Sequence, residues 1–292
     1  MRGLSDAIFR AIDPMEILDL TRARRFRHVP GAVPGIADIF DWSLLEVLVA
    51  RDLETDNRFN WNGRPLPREQ MIFIDEKGRF DADAFQALVQ DGVSIIFNKL
   101  EQRSTDAWRE AAKLEQALQA VVEVGIIASF GEGRALDVHY DPMDLIVVQL
   151  AGSKRWHFHG QPVPGPTIMR KELDPGPVTA ELTLQAGDVL FVPAGLHHQC
   201  LPLDNSLHAG FMLRRPDGRT FMRRILDQIR DNHAMGTQIP AFEDAEMLKR
   251  WETGLKEEMI ALIRAGNMSD FLVDWYKDWR KPDRRGLFET EC

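Results

Sequence analysis

From about Val122 to Pro216, this 292-residue chain is a succession of short β-rich runs with no helical spacing between them. The runs are Val124–Phe130, Leu145–Leu150, Lys154–His159, Thr167–Leu173, Ala180–Leu184, Val189–Val192 and Leu207–Leu213, punctuated by Gly, Pro and Asp. Seven short strands with close turns therefore predict an antiparallel sandwich or barrel.

Helical material is expected on both sides. Before the β region, Asp41-Trp42-Ser43 is a cap signal for a helix through Leu44, Leu45, Val47 and Leu48. Met71–Ile74 reads as a short strand between turn signals at Asn62-Gly63 and Asp75–Gly78. Asp81–Val89 reads as a helix, Val93–Phe97 as a strand, and Ser104–Val122 as a long helix capped by Ser104 or Thr105. After Pro216 the helical spacing returns at Thr220–Asp231, Asp244–Ala265 and Ser269–Trp279. The expected organisation is a mixed, mainly helical region 1–121 packed on the core, a β core 122–215, and a helical region 216–292. Linkers are short, which predicts one compact unit with appendages.

Composition narrows the classes. With 36 basic against 45 acidic side chains, a net charge of −9 argues against broad nucleic-acid binding, which depends on Lys and Arg neutralising phosphates. Two cysteines, Cys200 and Cys292, rule out a disulfide framework and a cysteine-based zinc site. No apolar run approaches the ~20 residues that span a bilayer. Asp6, Asp13, Glu16 and Asp19 interrupt the N-terminal apolar residues, so no secretory signal is read there. A cytoplasmic protein with no membrane partner is expected.

Three features of the β region carry chemistry. In His139-Tyr140-Asp141, residues two apart on an extended strand share a side, so His139 and Asp141 can converge on one ion. Alone, such a triplet is a weak signal. His198 lies just beyond a strand ended by Pro193-Ala194-Gly195, with His197 competing for the same role. Two His and one carboxylate on one face of a metal leave positions open, as in non-haem Fe(II) oxygenases. Lys154, in Gly152-Ser153-Lys154-Arg155-Trp156, opens the next strand, where an ammonium suits an anionic cosubstrate that chelates the metal at its other end.

Together, H-x-D, the G-x-K-x-W hairpin and G-D-x-L-x-x-P-x-G-x-x-H resemble the JmjC/cupin-like Fe(II)- and 2-oxoglutarate-dependent oxygenases, notably their bacterial ribosomal-oxygenase branch. Ile39-Phe40-Asp41-Trp42, Gly63-Arg64-Pro65-Leu66-Pro67, Gly92–Asn98 and Ser206-Leu207-His208 also resemble that group, so the likeness covers roughly residues 30–215. It implies a double-stranded β-helix (jelly-roll) core with helical N- and C-terminal extensions. It also implies His139, Asp141 and His198 as iron ligands, and it favours His198 because the distal ligand usually falls five residues after the Pro. Lys154 falls where the family binds the C5 carboxylate of 2-oxoglutarate.

The implied activity uses Fe(II), 2-oxoglutarate and O₂ to hydroxylate a side chain of a ribosomal protein or peptide, releasing succinate. Leu136 and Leu145 depart from the family, standing where some members carry Thr and Asn that help hold the cosubstrate. The larger members append a dimerising helical region and a winged-helix-like domain, and the stretch after the β core is expected to be too short for both. A peptide-tailoring or small-molecule hydroxylase and a non-enzymatic cupin-like metal-binding protein compete with the leading reading.

Tyr140, Gln149 and His208 are candidate pocket residues, although a histidine at 208 is more commonly a satisfied core residue. Asp144 reads as a turn residue behind the ligands, and Cys200 as a small buried thiol. The apolar spacing of Ile225, Ile229, Met259 and Ile263 points to a homodimer contact. The Trp275-Tyr276-x-x-Trp279 cluster reads as helix packing or a dimer contact ahead of a peptide-binding platform, and Arg22–Arg25 and Arg284-Arg285 as solvated surface.

Overall fold

The computed structural model describes residues 3–36, 42, 58–61, 63–66, 73, 81–131, 135–165, 173–228, 236, 238–239 and 244–279. Several sequence expectations lie outside them: the helix through 44–48, most of the strand at 71–74, the run at 167–172, Ile229 and Arg284-Arg285. The chain divides into two compact units, residues 1–214 and residues 215–282.

The first unit begins with helices α1 (Leu4–Ala11) and α2 (Pro14–Ala23) and the short strands β1 (Arg27–Val29), β2 (Arg58–Trp61) and β3 (Arg64–Pro65). Helix α3 (Ala82–Gln90) and strand β4 (Ser94–Phe97) follow, then a 3₁₀ turn (Leu100–Gln102) and helix α4 (Thr105–Leu118). The β core is β5 (Val121–Ser129), β6 (Asp144–Ala151), β7 (Lys154–His159), β8 (Val178–Leu184), β9 (Val189–Val192), β10 (His197–Pro202) and β11 (Ser206–Arg214). These strands form an eight-stranded sheet ordered β1-β9-β6-β11-β5-β4-β2-β3 and a three-stranded sheet ordered β10-β7-β8, with antiparallel pairing throughout. This is the double-stranded β-helix architecture, and the large sheet recruits four strands from the first hundred residues.

Period two explains how the large sheet serves two layers. Along β5, Val122, Val124, Ile126 and Ala128 join Ala107, Ala111, Leu114 and Leu118 of α4 in the main hydrophobic core. The intervening Glu123, Gly125, Ile127 and Ser129 face a cavity on the other side. A second cluster, including Val147, Trp156, Phe158, Leu184 and Leu190, fills the space between the two sheets. Each such aliphatic side chain stabilises by about 1.5–3 kcal/mol when fully buried. On the helical side, the buried Glu110 of α4 accepts from Gly3 N, Ser5 N and Ser5 Oγ at 2.6–3.0 Å, which satisfies orphan donors at the start of α1.

Three local expectations need correction. The long helix stops at Leu118 rather than Val122, because Gln119 turns left-handed (φ 50°) and Val121 already pairs in β5. Neither Gly nor Pro marks that change. Strand β10 was not anticipated; HHQCLP lacks alternation, and pairing with β7 makes it a strand. His139-Tyr140-Asp141 is not a strand either, since only His139 pairs, in an isolated antiparallel bridge to His198.

The second unit contains helices α5 (Gly218–Gln228), α6 (Ala245–Ala265) and α7 (Met268–Trp279). Phe221 of α5 meets Phe271 of α7 edge-on at 5.2 Å, and Arg224 pairs with Asp274 at 2.9 Å. Trp275 is buried with its ring against Tyr276, consistent with helix packing. No helix among the described residues is long and apolar enough to cross a membrane.

Gly152, in the turn that delivers Lys154, has φ +60°, and a Cβ there would lie 2.3 Å from the Asn205 carbonyl oxygen. Gly152→Ala is expected to lower the unfolding free energy by about 2 kcal/mol or more, measured by urea denaturation.

Candidate metal centre

The distal histidine is placed by a braced turn. After β9, Gly195 takes a left-handed conformation (φ 82°) and its N–H donates to the Asp141 carbonyl at 2.8 Å. Asp144 accepts from Ala194 N at 2.9 Å and from Thr21 Oγ1 of α2 at 2.7 Å, so its buried carboxylate ties the turn to the N-terminal helices. The loop carrying His139 is held on β10 by two backbone bonds, His139 N to His198 O (3.1 Å) and His198 N to His139 O (2.7 Å).

This clamp brings His139, Asp141 and His198 together, with one ligating atom from each within 4.8 Å of the others. Both rings are oriented by the backbone. His139 Nδ1 donates to Asp137 O at 2.8 Å and His198 Nδ1 to Leu196 O at 3.0 Å, which leaves each Nε2 with a lone pair for a metal. Burial, then the neighbouring His139, pushes His198 down to about 4, so its imidazole is neutral, the form that ligates. Trp156 stacks on the His198 ring at 5.4 Å and fixes its plane. His197 points elsewhere, its ring edge-on to Tyr140 at 4.9 Å.

The triad opens onto a cavity of about 450 Å³ whose wall also includes Lys154, His208, Cys200, Leu136, Leu145 and Met212. Lys154 is 1% exposed, and its Nζ donates to Ile127 O (3.0 Å) and Ser129 Oγ (3.2 Å). No carboxylate pairs with it among the described residues. Burial pushes its ammonium down to about 8, so keeping it charged at neutral pH costs on the order of 3 kcal/mol. A bound anion would offset that cost. Burial also pushes the Cys200 thiol up to about 11, so it stays protonated.

Of the remaining sequence candidates, His208 lines the cavity, buried and with its pKa well below the ordinary histidine value through burial, then through Lys154. Neither Tyr140 nor Gln149 is among the residues that line the cavity: Tyr140 is buried with its ring against His197, and Gln149 is buried with Nε2 donating to Ala151 O at 2.9 Å. Ser129, Gly125, Glu123 and Gly210 were not foreseen. Alternation along β5 and β11 carried the signal, but only sheet pairing shows which alternate set faces inward.

The donor set fits a divalent metal with vacant coordination positions: two imidazoles, one carboxylate, and an open side toward the cavity. Two buried polar atoms on the cavity wall, Trp156 Nε1 and His208 Nδ1, have no partner among the described residues, as expected of a wall that meets a polar guest. His139→Ala, Asp141→Ala and His198→Ala should each weaken Co(II) binding by at least about 100-fold, read from the cobalt absorption spectrum. The thermal unfolding midpoint of the metal-free protein should move little, because the clamp is made by the backbone.

Residues 98–221 match the JmjC domain family. The ribosomal protein uL16 3-hydroxylase of Escherichia coli is 24% identical over 166 residues, which cover 53% of this chain and 43% of that protein. Ribosomal oxygenase 2 of Bos taurus is 30% identical over 112 residues, covering 38% of this chain and 24% of the relative. The matched segments thus span less than half the length of these relatives. Among solved structures, that of the E. coli ribosomal oxygenase YcfD in complex with cobalt and 2-oxoglutarate aligns with 96% of this chain and 73% of its own. The TM-score is 0.60 at 17% identity, a likeness of fold. Residues 98–221 are thus similar to a JmjC domain, the double-stranded β-helix is of the cupin type, and the chain is similar in sequence to the ribosomal oxygenases.

Proposed function

We propose that the chain is an Fe(II)- and 2-oxoglutarate-dependent oxygenase that hydroxylates a side chain of a protein or peptide. The observation that carries this reading is a pair of sites in one cavity: an open-faced His₂Asp centre and a buried cation with no carboxylate paired to it among the described residues. A 2-oxo diacid matches both, chelating metal through its oxo-acid end and meeting Lys154 with its distal carboxylate. The reaction converts substrate C–H, 2-oxoglutarate and O₂ into substrate C–OH, succinate and CO₂. Bound Fe(II) would supply the oxygen activation.

The protein's own part is positional. His139, Asp141 and His198 would hold the metal, with their open side toward the cavity where a cosubstrate would bind. Lys154 anchors the cosubstrate as a point charge within reach of Ile127 O and Ser129 Oγ. Leu136, Leu145, Ile127 and Met212 limit water around the reacting centre. A non-enzymatic scaffold has no use for a buried, uncompensated ammonium beside an open metal face.

The names of the relatives support a polypeptide substrate, and a ribosomal protein is the first class to try. A homodimer through residues 216–292 is part of the proposal. Ile260, Ile263, Leu272 and Val273 are exposed there, whereas Ile225 is buried within its own unit and would not contribute. Light scattering should give twice the chain mass of 33.3 kDa.

The direct test is succinate formation from 2-oxoglutarate by anaerobically Fe(II)-loaded protein after O₂ is admitted, with pooled ribosomal proteins or peptides. Turnover is expected to rise with one substrate pool and to vanish in Asp141→Ala. No turnover together with no 2-oxoglutarate binding would overturn the reading. Lys154 also sets a pH dependence. Its folded-state pKa is about 8, so the binding-competent ammonium predominates below that pH and is lost above it. The 2-oxoglutarate dissociation constant should be level from pH 6.5 to 7.5 and then rise toward about tenfold per pH unit above 8, by calorimetry.

A further inference from the structure

The hydrogen bonds of Lys154 do not account for a whole carboxylate. Of its three N–H groups, two are taken by Ile127 O and Ser129 Oγ, leaving one for a guest. A carboxylate has two oxygens and about four acceptor positions, and burying it under-bonded is costly. Leu136 and Leu145, on the same cavity wall, have no hydrogen-bonding side-chain atoms.

His208 is one of two unspent groups on that wall, Trp156 Nε1 being the other. His208 is 4% exposed and lines the cavity, and its Nδ1 has no hydrogen-bond partner among the described residues. By contrast, His28, His139, His159 and His198 each engage a ring nitrogen with a carboxylate or a backbone carbonyl. On β11, His208 lies in register with Ile127 of β5, the residue whose carbonyl accepts from Lys154. Trp156 tilts over its ring at 5.8 Å and holds it on the wall. In either tautomer one ring nitrogen carries a proton to donate.

Resting on the oxygenase reading, we propose that His208 binds the distal carboxylate of the 2-oxo diacid, completing with Lys154 a two-residue seat that the leucines at 136 and 145 cannot supply. His208 is thus a cosubstrate-binding residue, and the specificity of the seat for a second carboxylate depends on it.

The test is calorimetry on anaerobic Fe(II)-loaded protein with two probes, 2-oxoglutarate and 2-oxopentanoate, which has the same chain length but lacks the distal carboxylate. His208→Phe, which keeps the ring against Trp156, should weaken 2-oxoglutarate roughly ten- to hundredfold and leave 2-oxopentanoate unchanged. His208→Gln, which restores a donor, should recover part of the loss. Equal weakening of both probes, or no change in either, would overturn the proposal while leaving the oxygenase reading standing. Failure of the unmutated protein to bind 2-oxoglutarate would overturn that reading itself. Should His208→Phe not fold, ¹⁵N-histidine spectra of the unmutated Zn(II)-loaded protein decide. A protected imidazole N–H signal, assigned through His208→Gln, is expected with 2-oxoglutarate and not with 2-oxopentanoate, and its absence with both counts against the seat.

Discussion

Two backbone hydrogen bonds between His139 and His198 are the constraint on which the site depends. They join a loop to a strand from the other end of the β core, and the side chains at both ends of the bridge are metal-ligand candidates. Asp141 is then placed by its own carbonyl, which accepts from Gly195 N in the turn before β10. Ligand geometry is therefore set by main-chain pairing, with the side chains needing only a choice of rotamer and tautomer. Backbone carbonyls at Asp137 and Leu196 make the tautomer choice.

The cavity is electrostatically divided. Its open-faced metal centre combines one carboxylate with two imidazole rings, while Lys154 supplies a buried cation that no carboxylate pairs with among the described residues. In a low-dielectric wall an unpaired charge is unfavourable, and the fold retains it only because hydrogen bonds to Ile127 and Ser129 share the load. The arrangement favours a guest with charge at one end and chelating oxygens at the other.

Much of this was legible in the sequence, for physical reasons. Strands β6, β7 and β9 lie close to where apolar runs and turn residues put them, because Gly152 and the Pro193-Ala194-Gly195 turn leave the chain few alternatives. The ligand triplet was legible as a spacing, although the reason given, a continuous strand, was not the structural one. What stayed hidden depends on pairing. Strand β10 exists only through β7, and Ser129 and Gly125 gain meaning only when β5 is laid beside β11. In β5 nearly every residue is apolar or small, so composition does not reveal which alternate set faces the helices.

That double-sided sheet has an evolutionary consequence. In β5 and β11, neighbouring residues answer to different demands: one set to the packing of α4 and the sheet's outer core, the other to the shape of the cavity. The two demands are interleaved at single-residue spacing yet physically separated by the thickness of a sheet. Substitutions at Met212 can therefore reshape the cavity while the scaffold keeps its stability, whereas a Cβ added at Gly125 would press on the Phe97 carbonyl oxygen at 3.2 Å and one at Gly210 on Leu145 Cδ1 at 3.2 Å. Substitutions at Val124, Ile126 or Phe211 can drift within the limits of packing while the chemistry is unchanged. A fold wired this way can change its guests without first having to learn how to fold again.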